Sequence, residues 1–325
     1  MSRRKIPSPK KPRPPPDTTI VAESVTFKNE VQANSDTKRG VVVPLEIAKI
    51  SKRGYAPYNP RKVNQDTIVT ERDGRTGALL VAVFDGHGEM GDKVSQFFKS
   101  TLPSGVFLDP NFSRDPLEVI SRQLQTIEGI IVSDPNVDTE FSGTTAVVCV
   151  ILDGKVYSAG VGNSRAVLAE QKPSGKVFAV PLTVDHLPSL PKEKERIRSK
   201  GGRVFAVKYD DGPDGPPRVW LGHMDIPGLA LSRSLGDSIA HTVGVICQPD
   251  CSTHTLTKAA QYLVVASDGL WEVMGNQEVV DIAMSLNNST KFLNALIAES
   301  YVRWIDQEQV VDDTSVVIVR FAVQE

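Results

Sequence analysis

Cysteine is scarce in this chain, and what there is does not form pairs: Cys149, Cys247 and Cys251 are an odd set among 325 residues. That usage argues for free thiols in a reducing compartment and against a disulfide scaffold. Cys247, Cys251 and His254 have loose metal-ligand spacing, but no second CxxC-type pair accompanies them, so a structural zinc is not expected. An excess of one charge is also missing. With 37 Lys and Arg against 39 Asp and Glu, the chain has no global basic field, which excludes the usual electrostatics of a nucleic-acid binder. No apolar run approaches the ~18 residues of a membrane span; those in GALLVAVFDG and TTAVVCVIL have strand length. A G-x-x-x-x-G-K-[ST] phosphate loop and a G-x-S-x-G nucleophile elbow are both absent. The opening MSRRKIPSPK has basic residues without an apolar segment behind them, and Ser2 removes an N-myristoylation signature. These absences place the protein, as an expectation, in the cytoplasm or nucleus, with no membrane span.

What is present is an ordinary globular composition, 40% hydrophobic and 23% charged, enough for a substantial core. Residues 1–40 read as a basic, Pro-rich disordered tail and lead-in, with KKPRPPP favouring extended polyproline conformations. Residues 41–325 read as one folded domain. Strands are expected at 66–70, 78–84, 261–267 and 315–323, and in TTAVVCVIL, KVYSAGV and RAVLAE, which DG and GN turn signals divide. Helices are expected at 90–102, 115–132, 191–202, 276–287 and 290–306, the second presenting Leu117, Ile120, Leu124, Ile127 and Ile131 on one face. The segment 205–228, crowded with Gly, Pro and Asp around VWL, reads as a flap-like loop insert. Closely spaced strands with helices between groups of them suggest an α+β fold in which sheets pack together and helices flank them.

Two segments share one design. LLVAVF runs into Asp85-Gly86, and YLVVAS runs into Asp268-Gly269. Each puts a carboxylate at the end of an apolar strand, a rigid platform of the kind a hard cation such as Mg²⁺ or Mn²⁺ selects. Asp66 in NQD, and Asp312 and Asp313 in VDDTS, lie beside two further strands. A single Asp-Gly after a strand is ordinarily a turn; four acid-bearing strand ends point to a cluster. Like charges at close range repel unless cations neutralise them, so a two-metal site is the simplest account. His87 follows at once and titrates near neutrality, as a general acid would; alone it would read as a turn histidine. Arg61, five residues before Asp66, could fork onto a phosphate or be merely solvated.

At these residues the chain resembles the type 2C metal-dependent serine/threonine protein phosphatases, over roughly residues 50–323. NQD (64–66), VFDGHG (83–88), SGTTAV (142–147), VGNSRAVL (161–168), LTVDHLPSLPKEKERIRSKGGRV (182–204), LALSRSLGD (229–237), ASDGLWEVM (266–274) and DDTSVVIV (312–319) occur in family order. RVWL and its insert look more like the plant and protist branch. The resemblance implies a central β-sandwich of two mostly antiparallel sheets with α-helices on both sides. It implies two Mn²⁺ or Mg²⁺ ions, bridged by Asp85, with the Gly86 carbonyl on one, Asp268 and Asp312 on the other, and Asp66 holding a metal-activated water. Arg61 would bind the phosphate and His87 would protonate the leaving oxygen. Phosphoprotein substrates follow, with a monomer as the default state.

Three positions depart from the family pattern. Gln65 stands where many members have glutamate. Asn163 replaces the aspartate of GDSR, and Glu272 a frequent aspartate, and both belong to a third, weaker metal site whose occupancy they put in doubt. Asp313 takes the place of the family's asparagine. Three other readings compete: a regulatory binding module, which would predict a broken metal core; a hydrolase of small phosphorylated metabolites or nucleotides, for which no motif exists; and a passive β-sandwich interaction domain, which leaves the ordered motifs unexplained. Trp220 looks exposed within the insert and is the candidate substrate-selecting residue, the alternative being that it packs the insert onto the body.

Overall fold

The computed structural model describes residues 23–26, 42–209, 212–286 and 288–323. Two antiparallel sheets face each other. The first runs in the order Glu23–Thr26, Val42–Lys52, Thr314–Val323, Ala260–Ala266, Arg165–Gln171 and Val177–Pro181. The second runs Leu235–Gly236, Gly143–Thr144, Leu79–His87, Ala146–Leu152, Lys155–Val161 and Asp250–Thr255, with Asp66–Arg72 also paired to Leu79–His87. Alternation along each strand builds the layers. In LLVAVF, Leu79, Val81 and Val83 point inward to meet Leu168, Leu263, Val265, Val317 and Val319 of the opposite sheet. Leu80, Ala82 and Phe84 point outward onto the helices Gly91–Phe107 and Pro116–Val132. Val264, Ala266, Val316 and Ile318 pack likewise under Asn276–Leu286 and Ser289–Glu308. Central strands covered on both faces explain their continuous apolar runs.

The expected α-β-β-α layering is present, with local corrections. Glu23–Thr26, inside the expected tail, is a strand paired antiparallel to Val42–Lys52; the remainder of that tail lies outside the described residues. The first helix passes through the buried Pro103 and ends at Phe107, beyond the expected 102. In the second, Asp115 caps the N-terminus by accepting the Glu118 N–H at 3.2 Å, and Pro116 occupies the first turn. Val119 is fully buried there, whereas Leu117 is only half-buried. Among the described residues no helix is long and apolar enough to cross a membrane.

The largest correction concerns 205–228. Composition suggested a loop, but Arg203–Tyr209, Gly212–Trp220 and Pro227–Leu229 form a three-stranded antiparallel sheet, residues 210 and 211 lying outside the described set. A register shift between Phe205 and Val207 absorbs the irregular sequence. Trp220 is buried at 9% exposure, stacks on Phe205 with centroids 5.2 Å apart, and donates its indole N–H to the Phe205 carbonyl at 2.9 Å. It anchors the insert and is not an exposed contact. Trp220→Ala should therefore lower the thermal midpoint and speed proteolytic cutting within 203–229, since truncating a buried aromatic costs about 3–5 kcal/mol. An unchanged melting curve and cutting rate would contradict this anchoring.

The helix Pro191–Ser199 is tied to its surroundings by charge. Glu193, 7% exposed at its side chain, receives Arg233 at 2.9 Å, Arg196 at 2.8 Å and the Ser232 hydroxyl at 2.8 Å. Arg233 also reaches Asp250 at 2.8 Å, which holds His186 at 3.1 Å. Burial works to raise the Glu193 pKa, but these donors outweigh it and bring it to about 2. A depressed carboxylate stabilises the fold above its unfolded pKa of about 4.5, and that contribution is lost as pH falls toward 2. Glu193→Gln should cost about 2 kcal/mol at neutral pH and flatten the acid limb of stability in that window, as chemical denaturation across pH would record.

Candidate active site

The sandwich brings its acid-bearing strand ends to one edge. Asp66 opens its strand directly opposite Asp85 in the antiparallel register. Asp268 follows the strand Ala260–Ala266, and Asp312 precedes Thr314–Val323, which pairs with it. Each sheet thus contributes two carboxylates. Gly86 lies buried where the backbone of Gly91 and Gln65 closes in: a Cβ there would meet the Gly91 carbonyl oxygen at 2.3 Å. No other residue fits without shifting the backbone of Gly91 or Gln65.

Mutual repulsion is written into the pKa values. Burial, then Asp268, Asp66 and Asp312, push Asp85 well above the carboxylate range. Burial raises Asp66 to about 7, despite the Ser267 hydroxyl that donates to its Oδ2 at 2.8 Å. Asp312, 48% exposed at the mouth, rises to about 6 through lost solvent on its inner side and the charge of Asp268, with Lys62 opposing. Asp66 Oδ1 and Asp268 Oδ1 are buried and accept no hydrogen bond.

Among the described residues no group of three or more His, Cys, Asp or Glu side chains is drawn together closely enough to hold a metal ion as it stands. Burial apart, the charge of Asp268 is the largest influence raising Asp85, as crowding of like charges requires. The open carboxylate oxygens and the all-oxygen donor set fit a hard divalent cation.

His87 and its partner lie on the second sheet. Its Nε2 is 2.7 Å from Oδ2 of Asp237, which is 3% exposed. Burial lowers the His87 pKa, but the charge and hydrogen bond of Asp237 outweigh this and leave it raised. Asp237 has left-handed backbone, φ 46°, and donates its N–H to the Ser142 carbonyl at 3.0 Å. Gly143 makes room for it, since a Cβ at 143 would meet Asp237 Oδ2 at 2.4 Å. Sequence reasoning missed Asp237 as a partner of His87, although it closes the quoted LALSRSLGD; the two are separated by 150 positions.

Other expected residues fall as follows. Arg61 is exposed, and the cation that reaches the acids is its neighbour Lys62, 2.6 Å from Asp313 and 3.6 Å from Asp312. Burial opposes the Lys62 charge, but the hydrogen bond and charge of Asp313, with Asp312 and Asp66, keep its pKa above the usual lysine value. Asn163 donates Nδ2 to Asp268 Oδ2 at 2.8 Å, and its Oδ1 is buried without a partner. Glu272 rises to about 7 through lost solvent and the charges of Asp268 and Asp312. Gln65 donates Nε2 to the Gly88 carbonyl at 2.7 Å, bridging the Asp66 and His87 segments. Arg218 of the insert opposes the rise at Glu272 through its charge. His254 Nε2 lies 2.9 Å from Glu170 Oε1, within hydrogen-bond distance.

The family model described as Protein phosphatase 2C matches residues 63–314. A probable protein phosphatase 2C 35 of Arabidopsis thaliana is 35% identical over 288 residues, covering 83% of this chain and 82% of that protein. The probable protein phosphatase 2C 64 of rice, Oryza sativa subsp. japonica, is 35% identical over 259 residues, 77% of this chain and 60% of its own. Among solved structures, a serine-threonine phosphatase 2C from Toxoplasma gondii superposes with TM-score 0.73 at 22% identity, over 87% of this chain and 99% of that one. At that identity the superposition speaks to the fold, and it agrees with the layers described above. The chain therefore belongs to the protein phosphatase 2C family, and is an enzyme of the phosphoprotein phosphatase class.

Proposed function

We propose that the region 41–325 is one catalytic unit that hydrolyses phosphoserine and phosphothreonine in proteins with two divalent cations, Mg²⁺ or Mn²⁺. The observation that carries this is four carboxylates gathered at one edge of the sandwich, with open buried oxygens, beside a histidine locked to a buried aspartate. Asp85, the Gly86 carbonyl, Asp268 and Asp312 would hold the cations, which when bound offset the carboxylate charge, make water more acidic and draw charge from the phosphoryl oxygens.

The protein's own groups supply the rest. Asp66, oriented by Ser267, has Oδ1 free to accept a hydrogen from an attacking water. Arg61, exposed beside Lys62, offers a guanidinium fork to the phosphoryl group. Asp237 on Nε2 orients the His87 ring and favours its protonated form, leaving Nδ1–H to protonate the departing serine or threonine oxygen. Asn163 gives Asp268 a neutral hydrogen bond where a third cation would need a charged ligand, so two ions are the complement on this reading. Substrate selection falls to the exposed parts of the insert, Met224 and Ile226 among them, with Trp220 holding them in place.

The direct test is phosphate release from a phosphothreonine peptide after EDTA stripping. Mg²⁺ or Mn²⁺ should restore activity in the wild type and not in Asp268→Asn; a folded wild type without turnover under either metal would favour the binding-module reading. A second test separates the acid from the rest of the machinery. An alkoxide needs a proton to leave, whereas p-nitrophenolate does not. His87→Gln and Asp237→Asn should each lower kcat on the phosphopeptide by about a hundredfold, and far less on p-nitrophenyl phosphate. Equal losses on both substrates would remove His87 from the acid role.

A further inference from the structure

Beside the four acids stands a fifth, Asp313, whose role the proposed reaction leaves open. Its side chain is 4% exposed and both oxygens are engaged. Oδ1 accepts the Gly54 N–H at 2.7 Å and Oδ2 the Gln65 N–H at 2.9 Å. It is therefore fixed in place, and its charge is felt at Asp66. A buried carboxylate added to a crowd of carboxylates is costly unless a cation meets it. Lys62 meets it at 2.6 Å, and the same ammonium is 3.6 Å from Asp312 at the mouth. Its backbone is held too: the Lys62 N–H donates to the Asn59 carbonyl at 3.0 Å, and the Arg53 guanidinium donates to the Lys62 carbonyl at 3.3 Å.

We propose that Lys62 is a built-in counter-ion of the acid cluster: it balances Asp313, positions Asp312, and sets how tightly the site takes a divalent cation. This rests on the two-cation reading above. A positive charge fixed about 6 Å from a divalent cation weakens its binding, and Coulomb's law at a water-like effective dielectric near 80, fitting a lysine that still meets solvent, makes that effect about tenfold. Asp313 works in the opposite direction, so the pair leaves the field at the cation site nearly unchanged while anchoring the segment from Gly54 to Asp66. Lys62 acts here through Asp312 and the local field, as a positioning residue.

The experiment uses the full chain, stripped of metal, in three forms: wild type, Lys62→Met, and Lys62→Met with Asp313→Asn. Mn²⁺ affinity is read by calorimetry and the metal-free thermal midpoint by scanning. Lys62→Met should bind Mn²⁺ about tenfold more tightly while melting lower than wild type without metal. The double variant, which removes one charge of each sign, should return both values close to wild type. Affinity unchanged or weakened in folded Lys62→Met would overturn the proposal. If that variant does not fold, the double variant decides: wild-type affinity supports the pairing, and a tenfold departure in either direction overturns it. A wild type that takes no Mn²⁺ overturns the cation-site reading itself, a different failure from a wild type that binds and a Lys62→Met that binds identically.

Discussion

Four carboxylates held within electrostatic reach of one another are the condition to which the rest of this architecture answers. In water Asp66, Asp85, Asp268 and Asp312 would separate; here two sheets fix them at one edge because their strands are pinned by packing on both faces. The antiparallel register puts Asp66 against Asp85, and the pairing of Ala266 with Val316 brings the Asp268 and Asp312 ends side by side. Neither pair can relax without sliding a strand, and a one-residue slip would turn every core side chain of that strand outward. The repulsion is therefore retained as raised proton affinity at Asp66, Asp85 and Asp312. Any cation that relieves it stabilises the folded state by mass action, so binding and stability are linked at this edge.

The site has two sides with different electrical tasks. On one, open carboxylate oxygens await positive charge. On the other, His87 and Asp237 form a self-balanced pair that keeps a proton available near the acids without adding net charge to them. The segments carrying the two are stitched by Gln65, whose side chain bonds to Gly88 and whose carbonyl accepts from the Ser95 hydroxyl and the Gly86 N–H. A glutamate at 65 would have brought another negative charge; the amide supplies a donor instead.

The sequence disclosed the elements that repeat a local rule. Strands such as LLVAVF show in their apolar runs, the helix at Asp115-Pro116 in its cap, and Asp85 and Asp268 in their position at strand ends. It did not disclose what depends on distant partners. Nothing local to LALSRSLGD says that Asp237 holds His87, and nothing in NPRKVNQD says that Lys62, and not Arg61, turns toward Asp313. The insert was misread for a related reason. Gly, Pro and Asp are loop residues by propensity, yet Arg203–Tyr209 and Gly212–Trp220 pair because Phe205 and Trp220 stack across the ladder, and tertiary packing overrode composition. Trp220 looked exposed among charged neighbours for want of that partner.

The charge inventory of the site bears on how many cations it can want. Lys62 cancels Asp313, and His87 in its protonated form cancels Asp237, so the four strand-end acids remain as the uncompensated set. Two divalent cations neutralise four carboxylates. At the next position outward, Asn163 offers Asp268 an amide hydrogen where an aspartate would have added one more negative charge and called for a further ion. Glu272 is pushed up to about 7 by lost solvent and by the charges of Asp268 and Asp312. The amide at 163, with Lys62 offsetting the extra acid at 313, limits the negative field, which on the proposed reading two cations would balance.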